Sequence, residues 1–166
     1  PILVTWSPLA GSAAVYDRRS AGTAPTKQAM TTFGFSGLLY ESDQVFYDRT
    51  PAPRDERLWS QLTGKSLTGA AQTLKRIPFV LTTYGEWLKN HPTTQVLDAD
   101  PHFLKQGAYY QDGYGNYNVS GVLKFPVDPV WINQDYPLKA QVISVLAGGV
   151  WKQYPLAVLS GKSGAP

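Results

Sequence analysis

Residues 1–19 read PILVTWSPLAGSAAVYDRR. An apolar run at 1–6 (PILVTW) meets SPLAG at 7–11 and returns as SAAVYDR at 12–18. Serine before proline, followed by small residues and glycine, is turn chemistry. β-branched and aromatic residues flank it, and these favour strands. The stretch therefore predicts strand–turn–strand.

Similar punctuation recurs along the chain. Strands are predicted at 28–35 (QAMTTFGF) and 37–40, with Gly34 and Gly37 suggesting a bulge or bend. After the turn Glu41-Ser42-Asp43 comes a strand at 44–49 (QVFYDR), and LWSQL at 58–62 is another. Further strands are predicted at 77–81, 95–98, 123–127, 141–146 and 150–154, the last two joined by a Gly148-Gly149 hairpin turn. The clearest helix begins after Thr83. Thr83 and Glu86 fit a capping box, and Pro92 stops the helix near Asn90. Residues 100–120 read as a tyrosine-rich loop.

The expected fold is mainly β: a barrel-like or sandwich-like single domain over residues 1–159, with one short helix and long loops. So many short strands need their edges protected. Residues 160–166 are expected to form a flexible tail. The 166 residues are enough for one real core, and the 43% hydrophobic content is that of a globular chain.

Composition removes several function classes. The net charge is +3, but basic residues are scattered and Lys75-Arg76 is no more than a pair. No basic stripe for nucleic acid is expected. There is no cysteine, which excludes disulfides, thiolate zinc sites, iron–sulfur clusters and cysteine nucleophiles. His91 and His102 are too few for most histidine-built metal sites. No metal site and no cofactor are predicted. No run approaches the ~20 apolar residues of a transmembrane helix, and no signal peptide is visible. The opening at Pro1, directly into an apolar run, reads as a mature, processed or truncated form.

Several residues carry enough chemistry to be weighed. Ser7 lacks the Gly-x-Ser-x-Gly spacing of a nucleophile elbow and is better read as a turn serine. Asp17-Arg18 and Asp48-Arg49, each within a Tyr-Asp-Arg triplet, suit a paired-carboxylate site or anion clamp. They equally suit salt bridges at strand ends. Glu86 and His91 are further acid–base candidates, or a capping acid and a helix-end residue. Trp59, Gln61 and Thr63 alternate onto one strand face and would line a pocket or pack under a loop. Tyr109, Tyr110, Tyr114 and Tyr117 suit a binding or subunit surface, or pack the loop down. Asp112, Asn116 and Asn118 offer oxygens to calcium without EF-hand spacing. Asn118-Val119-Ser120 matches a glycosylation acceptor.

Six stretches together resemble the bacterial domain-of-unknown-function family 3179. They are VTWSPLAGSAAVYDRR, TTFGFSGLLYESDQVFYDRT, LWSQLTGKSLTG, IPFVLTTYGEWLKNHPTTQVL, DGYGNYNVSGVLKFPV and, more loosely, QVISVLAGGVWKQYPLAVL. The resemblance covers most of the chain and brings no activity with it. It implies an exported or membrane-anchored protein. Many relatives carry Cys-Pro-Leu-Cys where this chain has Ser7-Pro8-Leu9-Ala10, so Ser7 and Ala10 are read as lost thiol positions.

The chain is therefore read as a non-catalytic exported domain that binds an extracellular ligand or assembles with copies of itself. Strand addition at exposed edges is a route to such assembly. Two alternatives stay open. One is an enzyme with a carboxylate, Arg and Tyr site on the sheet rim. The other is a degenerate metal or redox domain that kept its fold and lost its thiols.

Overall fold

The computed structural model describes residues 1–21, 30–107, 113–128 and 135–161. The fold is mainly β. The opening hairpin pairs β1 (Ile2–Ser7) with β2 (Ser12–Asp17) in an unbroken antiparallel register from Ile2↔Asp17 to Ser7↔Ser12. A second sheet runs β3 (Thr32–Tyr40), β4 (Asp43–Arg49), β5 (Leu58–Ser60), all antiparallel. The register of β3 slips between Phe35 and Leu39, the bulge that Gly34 and Gly37 suggested.

Residues 63–77 complete the surroundings of the core. Residues 64–67 lie beside β5 through Ser60 N–H to Lys65 O (3.0 Å) and Leu67 N–H to Leu58 O (2.7 Å). Residues 72–74 lie beside 64–66, and Leu74 N–H donates to Gly64 O (2.9 Å). Residues 75–77 then run along β2, with Asp17 N–H on Lys75 O and Ile77 N–H on Val15 O. The pairings thus pass from β1 through β2, 72–77, 64–67, β5 and β4 to β3. There the round stops. Among the described residues no ladder joins β1 to β3, so no closed barrel forms.

The core sits inside this open round. Ala14, Tyr16, Phe46, Trp59 and Leu74 are buried together, with Leu3 and Phe33 packed against them. Phe33 meets Phe46 and Trp59 edge-on, with ring centres 5.4 and 6.4 Å apart. That geometry suits the ring quadrupoles.

Beyond residue 77 the described residues bury little, Tyr117 apart. Helix α1 spans Tyr84–Asn90, as the capping box predicts, with Glu86 N–H on Thr83 Oγ1 (3.2 Å). The expected strand at 77–81 is absent. Ile77 gives its one bond to Val15 O, and Pro78 has no N–H to continue. Residues 123–127 form no strand for a similar reason, since Pro126 interrupts the donors. Residues 95–98 form none either, and Val96 and Leu97 lie exposed.

The tyrosine-rich stretch holds more order than a loop. Helix α2 spans Pro101–Lys105 and is capped by Asp100, whose side chain accepts from His102 N–H (2.8 Å). A 3-10 turn covers Gly115–Val119.

Near the C-terminus β6 (Val142–Ala147) and β7 (Val150–Pro155) form a two-stranded hairpin, followed by the short α3 (Leu156–Leu159). Gly148 and Gly149 both take positive φ (60° and 77°), the two-residue turn that matches strand twist.

Candidate functional site

The two Tyr-Asp-Arg triplets end strands at one rim. Arg18 Nε–H donates to Thr31 O (2.7 Å), and the next residue, Thr32, is the cross-strand partner of Arg49. The triplets nevertheless sit in opposite phase. Tyr16 is buried with Asp17 half-buried at the surface, whereas Tyr47 is half-buried and Asp48 is fully buried. A one-residue shift on a pleated strand exchanges its faces, so the recurrence is not a structural repeat.

Each rim group has its own local partner. Asp17 binds Arg19 through both carboxylate oxygens (3.0 and 2.7 Å). That guanidinium holds the Asp17 carboxyl well below the usual carboxylate range. Asp48 Oδ1 accepts from Arg57 N–H (2.5 Å). Arg49 lies over the Tyr47 ring, 5.8 Å from its centre. Glu86 pairs with Lys89 (2.6 Å), and His91 stacks on Trp87 at 3.8 Å. Asp17, Arg18, Asp48 and Arg49 thus share a rim, while Glu86 and His91 are held within and at the end of α1. Among the described residues no group of three or more His, Cys, Asp or Glu converges as a metal site would require.

Ser7, Trp59 and Gln61 belong to the interior. Ser7 is fully buried, and its Oγ accepts from Ala10 N–H (3.2 Å) across the β1–β2 turn. Ala10 is exposed. Gln61 is 1% exposed; its amide donates to Thr5 Oγ1 (3.0 Å) and accepts from Ser12 Oγ (3.0 Å). Tyr16 donates its hydroxyl to Gln61 O (2.8 Å). This sealed knot ties the turn end of the hairpin to the loop after β5. Thr63, the third residue of the alternation, is exposed.

Tyr117 is buried as well. Lys139 Nζ lies 3.4 Å above its ring and donates to Tyr117 O and Ser120 Oγ. Tyr114 is exposed, as are Asn116 and Asn118. Tyr109, Tyr110 and Asp112 lie outside the described residues.

What the rim residues do not make, the open side of the round does. A cleft of about 90 Å³ lies between the unpaired edges, lined by Leu3, Val4 and Thr5 of β1, by Phe33, Gly34 and Phe35 of β3, and by Phe46 below. Small-molecule sites run to roughly 300–1,000 Å³, so this cleft is too small for one. Its walls are strand edges that pair with no other strand among the described residues, flanked by exposed apolar side chains. Ile2, Val4 and Trp6 alternate along the outer face of β1, and Phe35 is 73% exposed on β3.

The profile of the family described as "Protein of unknown function (DUF3179)" matches residues 1–165. The chain belongs to that family. No curated protein and no solved structure matches it. The match runs through both the cored part of the chain and the exposed β6–β7 hairpin. Among the described residues no helix is long and apolar enough to cross a membrane.

One buried acid in this DUF3179 chain makes a testable statement about pH. Asp43 is buried; its Oδ2 accepts from Ser60 Oγ (3.0 Å) and Leu62 N–H (2.8 Å), and burial pushes its carboxyl above the usual value. A raised native pKa stabilises the fold while the group is protonated. That contribution is full below the unfolded value of about 4 and is lost as pH rises through the native one. Asp17 works in the opposite direction, since its lowered pKa adds stability that is lost as pH falls. Asp43→Asn is therefore expected to gain on the parent protein in urea midpoint as pH rises from about 4 to 7. Parallel midpoint curves over that range would show that burial of Asp43 has no such consequence.

Proposed function

We propose that this chain is a non-catalytic domain of an exported protein, and that it works by binding through its open sheet edges. The observation that carries the reading is the pairing of two incomplete surfaces in one chain. One is the unclosed β1/β3 side of the round. The other is the β6–β7 hairpin, every residue of whose β6 strand is exposed. An isolated two-stranded hairpin is at best marginally stable in water, and exposed edges are templates for strand addition.

The arrangement of the polar residues supports the non-catalytic half of the proposal. Ser7 and Gln61 are sealed, Asp17 and Glu86 are paired with Arg19 and Lys89, and Asp48 is fully buried, with its Oδ1 on the Arg57 N–H and its Oδ2 without a partner. Neither imidazole serves the serine: His91 stacks on Trp87, and His102 Nε2 contacts Gln106 Nε2 at 3.0 Å.

Native mass spectrometry on the purified protein tests the proposal. Masses at multiples of the 18.2 kDa chain are expected, rising with concentration. A monomer that carries no bound partner at any concentration would overturn it.

A further inference from the structure

We propose that the β6–β7 hairpin docks the domain on a bilayer of anionic phospholipid, with its turn end seated among the headgroups. This goes beyond the edge-binding reading above. It concerns the side chains at the end of the hairpin rather than its backbone edges, so the two readings fail separately.

The first observation is where the apolar side chains lie. β6 reads VISVLA, with Val142 and Leu146 on one face and Ile143 and Val145 on the other. A hairpin strand with one face packed and one in water alternates apolar and polar residues instead. All four are exposed, and exposure is highest near the turn: 55% at Leu146, 60% at Val150 and 63% at Trp151. A Cβ at Gly148 or Gly149 would meet nothing within 4 Å, so the turn itself stands clear. An exposed apolar patch rimmed by polar residues marks an interaction surface.

The order of the cross-strand pairs says what kind of surface it meets. Counted back from Gly148-Gly149 they are Ala147↔Val150, Leu146↔Trp151, Val145↔Lys152 and Ser144↔Gln153. Two wholly apolar pairs come first, then a cation beside a valine, then a polar pair. At about 3.4 Å per residue, Lys152 stands roughly 10 Å back from the turn. Elements that lie in a membrane interface bury their apolar part by about 5–10 Å. Seated to that depth, Leu146, Val150 and Trp151 leave water, Lys152 meets the phosphates, and Ser144 and Gln153 stay hydrated. Tryptophan is enriched at this level of a bilayer. A deeper seat is ruled out, because lipid offers no partner to the outer edges of a two-stranded hairpin.

Charge selects the lipid. Residues 136–166 contain Lys139, Lys152 and Lys162 and no Asp or Glu. Of the 15 Lys and Arg, the other 12 lie in residues 1–135, where they balance all 12 acidic residues. The whole net charge of +3 therefore belongs to the end of the chain that carries the hairpin. Such asymmetry points to an anionic membrane or a nucleic acid. The apolar turn end decides between them, since nucleic acid has no apolar interior for Leu146 and Val150 to enter.

Flotation of the full chain with phosphatidylglycerol–phosphatidylcholine vesicles, against pure phosphatidylcholine, tests the proposal. The protein is expected to float with the anionic vesicles, less with the neutral ones, and to be released as salt rises. Val150→Asp is expected to weaken binding at least tenfold while leaving the urea midpoint unchanged. Lys152→Gln should weaken it about fivefold, on anionic vesicles only, the share of one lysine at such a surface. Because the chain has no cysteine, Val150→Cys carries a single environment-sensitive fluorophore. Its emission should shift to the blue on binding and be quenched by spin-labelled lipid.

Failure to float with anionic vesicles would overturn the inference. Self-association of the same sample would then leave the edge-binding reading standing. Flotation that neither substitution weakens, with the fluorophore still in water, would place the membrane contact elsewhere and overturn it equally.

Discussion

Trp59→Ala is expected to cost about 3–5 kcal/mol of stability, the range for deleting a large aromatic from a packed core. Trp59 has no exposed surface. It is the central residue of the three-residue β5, opposite Phe46, and it packs with Ala14, Tyr16, Leu74 and Phe33. Those contacts come from four segments: β4, β2, the 72–77 stretch and β3. Domains of this size are stable by about 5–15 kcal/mol, so the loss would take a large share of the total. Trp59→Phe should cost much less. It keeps most of the ring and removes an indole N–H that is buried with no acceptor. Urea unfolding followed by far-UV circular dichroism measures both. A loss below about 1 kcal/mol for the alanine variant would mean that the core does not turn on this ring.

The parts of this architecture that sequence made legible are those set by local rules. The β1–β2 hairpin, β4, the Thr83 cap and the Gly148-Gly149 turn each follow from a few neighbouring residues. The misread segments were apolar runs without a facing strand. In 77–81 and 123–127 a proline removes the donor that a ladder needs, and in 95–98 no partner arrives. The alternation that put Trp59 and Gln61 on one face was visible, but not what covers that face. The β1–β2 hairpin and Leu74 cover it, and their arrival is a long-range event. The phase of the two Tyr-Asp-Arg triplets was hidden for the same reason, since only packing decides which member of a strand pair turns inward.

The open side was the least visible feature, because a missing ladder has no sequence pattern. One signal did exist. The uninterrupted apolar run of β6 is unusual for a hairpin strand facing water, and it asks for a cover on both faces. That demand is physical before it is functional.

Gly64→Ala is the second large effect, and it tests how tightly residues 63–77 close on the core. Gly64 adopts φ +67°, where a Cβ costs about 1–2 kcal/mol. A Cβ there would also lie 2.6 Å from Cε1 of Tyr16. The Tyr16 ring has little room to move, since it is fully buried and its hydroxyl is held by Gln61 O and Arg76. Nor can the backbone retreat easily: Gly64 N–H donates to Ser60 O, and its carbonyl accepts from Leu74 N–H, both at 2.9 Å. Overpacking of this kind adds about 1–3 kcal/mol, so the total expected loss is about 2–5 kcal/mol. Two controls separate the causes. Gly107→Ala has φ +66° with nothing within 4 Å of the new atom, so it measures the backbone cost alone. Gly85→Ala, inside α1 with open space around it, should stabilise by about 0.5–1 kcal/mol. If Gly64→Ala costs no more than Gly107→Ala, residues 63–77 are free to shift away from Tyr16. The open round would then be looser than its hydrogen bonds imply. If it costs clearly more, the wall opposite the β1/β3 opening is rigid, held in place by the Tyr16 ring and the two Gly64 backbone hydrogen bonds.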